Sequence, residues 1–100
     1  MCGIVGLFGN FPSLAGDIRN MTKTLSHRGP DAEGFFVDLK NEIALGHKRL
    51  SILDLSDKAN QPFLSKCGRY VAVYNGEIYN HRQVATNMQL SLRTTCDTEV

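Results

Sequence analysis

Long hydrophobic runs, a dominant charge of one sign and paired cysteines are all missing from this sequence. The apolar N-terminus, MCGIVGLFG, carries no basic leader and is interrupted by three glycines, which is not typical of a secretory signal peptide. No segment approaches the roughly 20 apolar residues that a membrane-spanning helix needs. The sequence therefore predicts a soluble, cytoplasmic protein with no membrane partner.

The balance of charges excludes a further class of partner. Eleven basic residues against ten acidic residues leave a formal net charge of +1, which provides no broad positive field for a phosphate backbone. The cysteines, at positions 2, 67 and 96, are odd in number and lack CxxC spacing, so neither a disulfide framework nor a zinc ribbon is indicated. The three histidines also lack the spacing of metal ligands. We predict no nucleic-acid partner and no bound metal.

What is present is typical of a packed domain, with 42% hydrophobic residues and no low-complexity tract. Residues 2–8 predict a strand that is buried on both faces. An amphipathic helix with Ser13 at its start follows, because four apolar residues recur at helical spacing: Leu14, Ile18, Met21 and Leu25. Gly29 and Pro30 should end that helix and form part of a loop over 26–34.

The second half of the sequence alternates short elements with loops. GFFVD and EIALGH predict a hairpin joined at 39–41, and RYVAVYN predicts a further strand. The segment 49–63 is expected to be a long ordered loop. Asn80 and Gln83 resemble a capping box that opens a short helix, and another helix start is expected near Asp97. Because the sequence stops soon afterwards, we expect an incomplete domain.

Cys2 could act as a nucleophile whose own α-amine serves as the base. Removal of an initiator methionine from a small second residue would leave Cys2 with a free α-amine, and such amines have a reference pKa of about 7.7 to 8.0. One residue could then supply both a thiol nucleophile and its base. The plainer alternative, which Met-Cys alone favours, is that Cys2 is a small apolar residue that begins a strand.

Six motifs decide between these readings. They are MCGIVGLFG at 1–9, SHRGPDAEG at 26–34, GHKRLSILDLS at 46–56, ANQPF at 59–63, YNGEIYN at 74–80 and CDTEV at 96–100. Together, in this order, they resemble the class II glutamine amidotransferase domain of the glutamine-hydrolysing asparagine synthetases. The resemblance extends over the whole sequence.

The resemblance implies a fold that the pattern of elements alone could not give. It implies an α+β fold, the four-layer αββα sandwich of the N-terminal nucleophile hydrolases, of which about the first half is present. Residues 1–100 would be the N-terminal part of the glutaminase domain. An ATP-dependent synthetase domain is absent from this chain, and the fragment alone is expected to be inactive.

The resemblance also implies catalytic roles. Cys2 would be the nucleophile, and its α-amine would be the general base. Asn75 through its side-chain amide and Gly76 through its backbone N–H would stabilise the oxyanion of the tetrahedral intermediate. Without the resemblance, Asn-Gly after a strand is more often a tight hairpin turn.

Recognition of free glutamine is implied by a further set of residues. Arg49 would bind the α-carboxylate in a bidentate manner, and Glu77 and Asp97 would lie near the α-ammonium. Leu50, Ser51, Ile52 and Leu53 would line the pocket. The plainer alternatives are solvated surface charges for Arg49 and Glu77 and a helix N-cap for Asp97. We expect Arg28 and Asp31 to shape the neighbouring loop.

The function implied is hydrolysis of L-glutamine to glutamate and ammonia through a Cys2 thioester. The ammonia would supply asparagine synthesis from L-aspartate in the full-length enzyme, for which ATP and Mg²⁺ are implied in the missing domain. No cofactor is expected in this segment, and a homo-oligomer stays open. The alternatives are an amidotransferase of the same family with another acceptor, or a non-catalytic module or fragment.

Overall fold

A computed structural model describes residues 1–100. The chain has an α+β structure with two small antiparallel sheets and two helices. Its strands and helices in chain order are β1 (Gly3–Phe8), α1 (Leu14–Thr24), β2 (Ala32–Asp38), β3 (Ile43–Arg49), β4 (Phe63–Leu64), β5 (Val71–Ala72) and α2 (His81–Asn87). Single 3₁₀ turns lie at Asp57–Ala59 and Asp97–Glu99. The two helices, of 11 and 7 residues, are too short to span a membrane.

The larger sheet has the strand order β1-β3-β2, with every neighbouring pair antiparallel. The predicted hairpin is confirmed as β2 and β3, in which Asp38 pairs with Ile43. The Asp38 carboxylate closes the connection by accepting hydrogen bonds from the backbone and side-chain nitrogens of Asn41, at 3.0 and 2.8 Å. This local side-chain bonding is typical of Asp and Asn in turns.

The core lies between α1 and one face of this sheet, where Leu14 and Ile18 pack with Ala44. Partly buried apolar residues surround them: Val5, Leu7, Phe35 and Val37. The predicted helix is confirmed, but Met21 is 38% exposed and Thr22 is fully buried in its place. Thr22 can be buried because its hydroxyl donates to the Ile18 carbonyl at 2.7 Å, and Gly46 opposite it leaves room for that hydroxyl.

The helix starts are where the sequence placed them, but the capping bonds are not formed. Ser13 precedes α1 and Asn80 precedes α2, and neither side chain makes a capping hydrogen bond. Both residues lie outside the extended backbone region, with ψ of 59° and 20°, that carries an N-cap side chain over the first turn. The predicted capping box at Asn80 and Gln83 is therefore wrong.

Two strand predictions also need correction. β1 is covered on one face only, since Ile4 is 46% and Phe8 is 68% exposed on the face opposite α1. The strand predicted over 69–75 is reduced to the two residues of β5, which pair with β4. Beyond β5, the backbone of Tyr74 hydrogen-bonds to side chains rather than to a neighbouring strand. The predicted long loop after β3 is confirmed.

Candidate active site

A cleft of about 320 Å³ opens where the start of β1 meets the end of β3. The loop after β3, the segment after β5 and the 3₁₀ turn at Asp97–Glu99 contribute its other walls. Nine of the ten predicted site residues line it: Cys2, Arg49, Leu50, Ile52, Leu53, Asn75, Gly76, Glu77 and Asp97. Ser51 does not line the cleft, and its backbone N–H donates instead to the Asp31 carboxylate at 2.7 Å.

Cys2 is held by contacts on both its side chain and its backbone. Its half-buried sulfur accepts a hydrogen bond from the Leu50 backbone N–H at 3.3 Å and lies 3.7 Å from the Leu50 carbonyl. Its carbonyl oxygen accepts a hydrogen bond from Arg28 Nε at 3.0 Å. Met1 lines the mouth of the cleft and is 75% exposed, so its removal would not disturb the core.

Arg49 is buried, with 6% of its surface exposed, which excludes the alternative of a solvated surface charge. Its Nη1 donates to the Ser56 carbonyl at 2.9 Å and to Asn60 Oδ1 at 2.8 Å. Its Nη2 donates to the carbonyls of Leu53 and Asp54. All four acceptors are neutral, so the buried positive charge at the cleft wall has no carboxylate partner within the chain.

Asp97 is a buried acidic residue that lines the same cleft. It is 5% exposed, and its Oδ2 accepts a hydrogen bond from the Ile78 backbone N–H at 2.7 Å. This bond ties the turn that follows Cys96 to the segment that carries Asn75 and Gly76. Asp97 does not cap its own 3₁₀ turn, which is the role that the plainer alternative gave it. A buried cation and a buried anion therefore face one cleft, a pairing that suits a zwitterionic ligand.

Comparison with known proteins identifies the family of this chain. A family profile described as a glutamine amidotransferase domain matches residues 1–100. This chain belongs to that family. A Methanocaldococcus jannaschii protein that carries an asparagine synthetase name is 41% identical over 119 residues, and asparagine synthetase [glutamine-hydrolyzing] 1 of Bacillus subtilis is 35% identical over 108 residues. Both comparisons cover 100% of this chain.

This chain spans only a small part of the length of its amidotransferase relatives. It covers 23% of the M. jannaschii protein and 17% of the B. subtilis protein. Not every relative has a synthetase name. Amidase chry2 of Gibberella zeae is 39% identical over 95 residues, which cover 83% of this chain and 14% of that protein.

Sequence reasoning missed Asp54, which joins two walls of the amidotransferase cleft. Asp54 Oδ1 accepts hydrogen bonds from the Ser56 hydroxyl and N–H at 2.6 and 3.0 Å, and its Oδ2 accepts from the Thr95 N–H and hydroxyl at 2.9 and 3.2 Å. The Ser56 hydroxyl and the Thr95 N–H hold the pKa of this carboxyl well below its usual range. Its place in the motif GHKRLSILDLS was the available signal.

Proposed function

We propose that this chain carries the nucleophile and most of the substrate-binding residues of a glutaminase, in which Cys2 hydrolyses L-glutamine to glutamate and ammonia. The observation that supports this most strongly is the single cleft shared by Cys2, Asn75, Gly76, Arg49 and Asp97. These residues are far apart in the sequence. Membership of the amidotransferase family makes a glutamine side-chain amide the natural substrate of such a cleft.

The proposed reaction begins after Met1 has been removed. The α-amine of Cys2 accepts the thiol proton, and the sulfur attacks the side-chain amide carbon of glutamine to form a C–S bond. The Asn75 amide and the Gly76 N–H stabilise the oxyanion of the tetrahedral intermediate. Collapse breaks the C–N bond, and the proton passes from the α-ammonium to the leaving nitrogen, which departs as ammonia. Water then hydrolyses the thioester to glutamate.

Recognition of the amino-acid end follows from the two buried charges. The Arg49 guanidinium binds the α-carboxylate in exchange for some of the loop carbonyls that it now contacts, because a charged acceptor forms stronger hydrogen bonds than a neutral one. Asp97 and the exposed Glu77 bind the α-ammonium, while Leu50, Ile52 and Leu53 surround the carbon chain. The N–H of Ser51 holds the loop through Asp31.

The larger protein is proposed from its relatives. The relatives are much longer than this chain, and most carry asparagine synthetase names. The ammonia would therefore be used by a second domain, which would amidate L-aspartate with ATP and Mg²⁺. The whole protein would act in the cytoplasm. The open face of β1 would be covered by a second sheet in a four-layer αββα sandwich, of which residues 1–100 form the first part. The amidase names of two fungal relatives favour a second candidate, an amidotransferase with a different acceptor.

The test compares the whole protein with its Cys2→Ala variant. We expect Cys2→Ala to lose glutamine-dependent ammonia release, because the nucleophile is gone, while product formation from supplied ammonia continues. Cys67→Ala is the matched control, since Cys67 is exposed and outside the cleft, and it should hydrolyse glutamine normally. Persistence of glutamine hydrolysis in Cys2→Ala would refute the proposal.

A further inference from the structure

The peptide groups of Tyr74 are bonded by two side chains at the point where the chain leaves β5 and reaches Asn75. The Tyr74 N–H donates to Gln61 Oε1 at 2.6 Å. The Tyr74 carbonyl lies 3.3 Å from His47 Nε2. Both bonds are long-range, across 13 and 27 residues, and they replace the strand ladder that ends at Ala72.

His47 is held in one protonation state by its surroundings. It is 1% exposed, and its only hydrogen-bond partner is the Tyr74 carbonyl, which can only accept. The proton must therefore lie on Nε2, and Nδ1 carries the lone pair, for which the chain provides no partner. Burial lowers the pKa of His47 and favours this neutral form. His47 thus acts as a fixed donor on β3.

Gln61 is equally restricted. It is 7% exposed, and its Nε2 donates to the Thr98 hydroxyl at 3.2 Å while its Oε1 accepts from Tyr74. One amide therefore joins the segment before Asn75 to the turn that carries Asp97. Gly34 on β2 makes this possible, because any side chain there would clash with the Gln61 carbonyl.

We infer that His47 and Gln61 are positioning residues that fix the Asn75-Gly76 pair in the geometry required to stabilise the oxyanion. The inference rests on the proposed function. Asn75 and Gly76 are exposed and belong to no strand or helix, so nothing in regular secondary structure sets their orientation. Donors for a developing charge are effective only when they are fixed before the reaction. The two buried side chains supply that constraint one residue upstream.

The experiment measures kcat and KM for glutamine hydrolysis by the whole protein. Gln61→Met keeps the length of the side chain but removes both hydrogen bonds, and we expect kcat to fall about 10-fold to 100-fold with KM changed less than about threefold, because misplaced donors affect the transition state most. Gln83→Met is the matched control, since Gln83 is exposed on α2, and its kcat should be unchanged.

His47 is tested by a conservative pair of variants. His47→Leu removes the donor and should lower kcat as Gln61→Met does, whereas His47→Gln, whose amide can still donate to the Tyr74 carbonyl, should recover most of the activity. This pair keeps the inference testable if Gln61→Met fails to fold. Equal kcat values for His47→Leu, His47→Gln and the unaltered protein would overturn it.

A double-mutant cycle distinguishes positioning from general stabilisation. If His47 and Gln61 act through Asn75, then Gln61→Met or His47→Leu should lower kcat much less in an Asn75→Ala background than alone. Fully additive losses would overturn the inference. Cys2→Ala is assayed alongside these variants. If Cys2→Ala is inactive and the losses in the cycle are additive, only the positioning role is wrong. If Cys2→Ala still hydrolyses glutamine, the proposed function is wrong and this inference fails with it.

Discussion

Retention of Met1 should reduce glutamine hydrolysis by the whole protein to the level of Cys2→Ala. With Met1 in place, the Cys2 nitrogen is part of a peptide bond and cannot accept the thiol proton. The uncleaved protein can be made by inhibiting methionine aminopeptidase during expression, and its intact mass identifies it. Ammonia release from glutamine is then compared with that of the processed protein.

The exposed position of Met1 offers a control for this experiment. Because Met1 is 75% exposed at the mouth of the cleft, treatment of the purified uncleaved protein with an aminopeptidase should remove it and restore activity. Recovery would show that the protein was correctly folded throughout. Full activity before that treatment would mean that the α-amine of Cys2 is not the base.

Asn75→Ala should lower kcat for glutamine hydrolysis by about 10²-fold to 10³-fold, which is the usual cost of removing one oxyanion donor. KM should change little, because the interaction is formed in the transition state rather than with the ground-state amide. Steady-state kinetics with glutamine provide the measurement.

Asn80→Ala is the matched control for Asn75→Ala. Asn80 lies five residues further on, is exposed and makes no capping hydrogen bond, so its removal should leave kcat within about twofold. A kcat for Asn75→Ala equal to that of Asn80→Ala would exclude Asn75 from the reaction.

The helix and the hairpin were predicted correctly because each is determined by residues close together in the sequence. The spacing of Leu14 and Ile18 identified α1, and the polar turn at 39–41 identified the hairpin. Burial within the helix was harder to predict, because Thr22 became internal only through its bond to the Ile18 carbonyl and the space at Gly46. That space belongs to a strand more than 20 residues away.

In the site, too, the residues could be identified from local motifs, whereas their long-range contacts could not be predicted. The motifs identified residues that share one cleft, and no pattern of composition or spacing could have brought Cys2 beside Leu50 without the pairing of β1 with β3. The backbone hydrogen bonds of Tyr74 were not predicted, because their partners are side chains far away in the sequence. These bonds take the place of strand pairing, so the strand predicted over 69–75 is shorter than expected. Arg49 was expected to be available for a carboxylate, whereas its guanidinium contacts loop carbonyls.

The covalent role of Cys2 can be tested by detecting the thioester itself. The whole protein would be quenched in acid during turnover of glutamine, digested and examined by mass spectrometry. We expect a glutamyl adduct on the N-terminal peptide that begins with Cys2, and we expect no such adduct in Asn75→Ala quenched at the same early time. A glutamyl adduct on Cys67 or Cys96, or turnover of glutamine with no adduct on Cys2, would contradict the covalent role of Cys2.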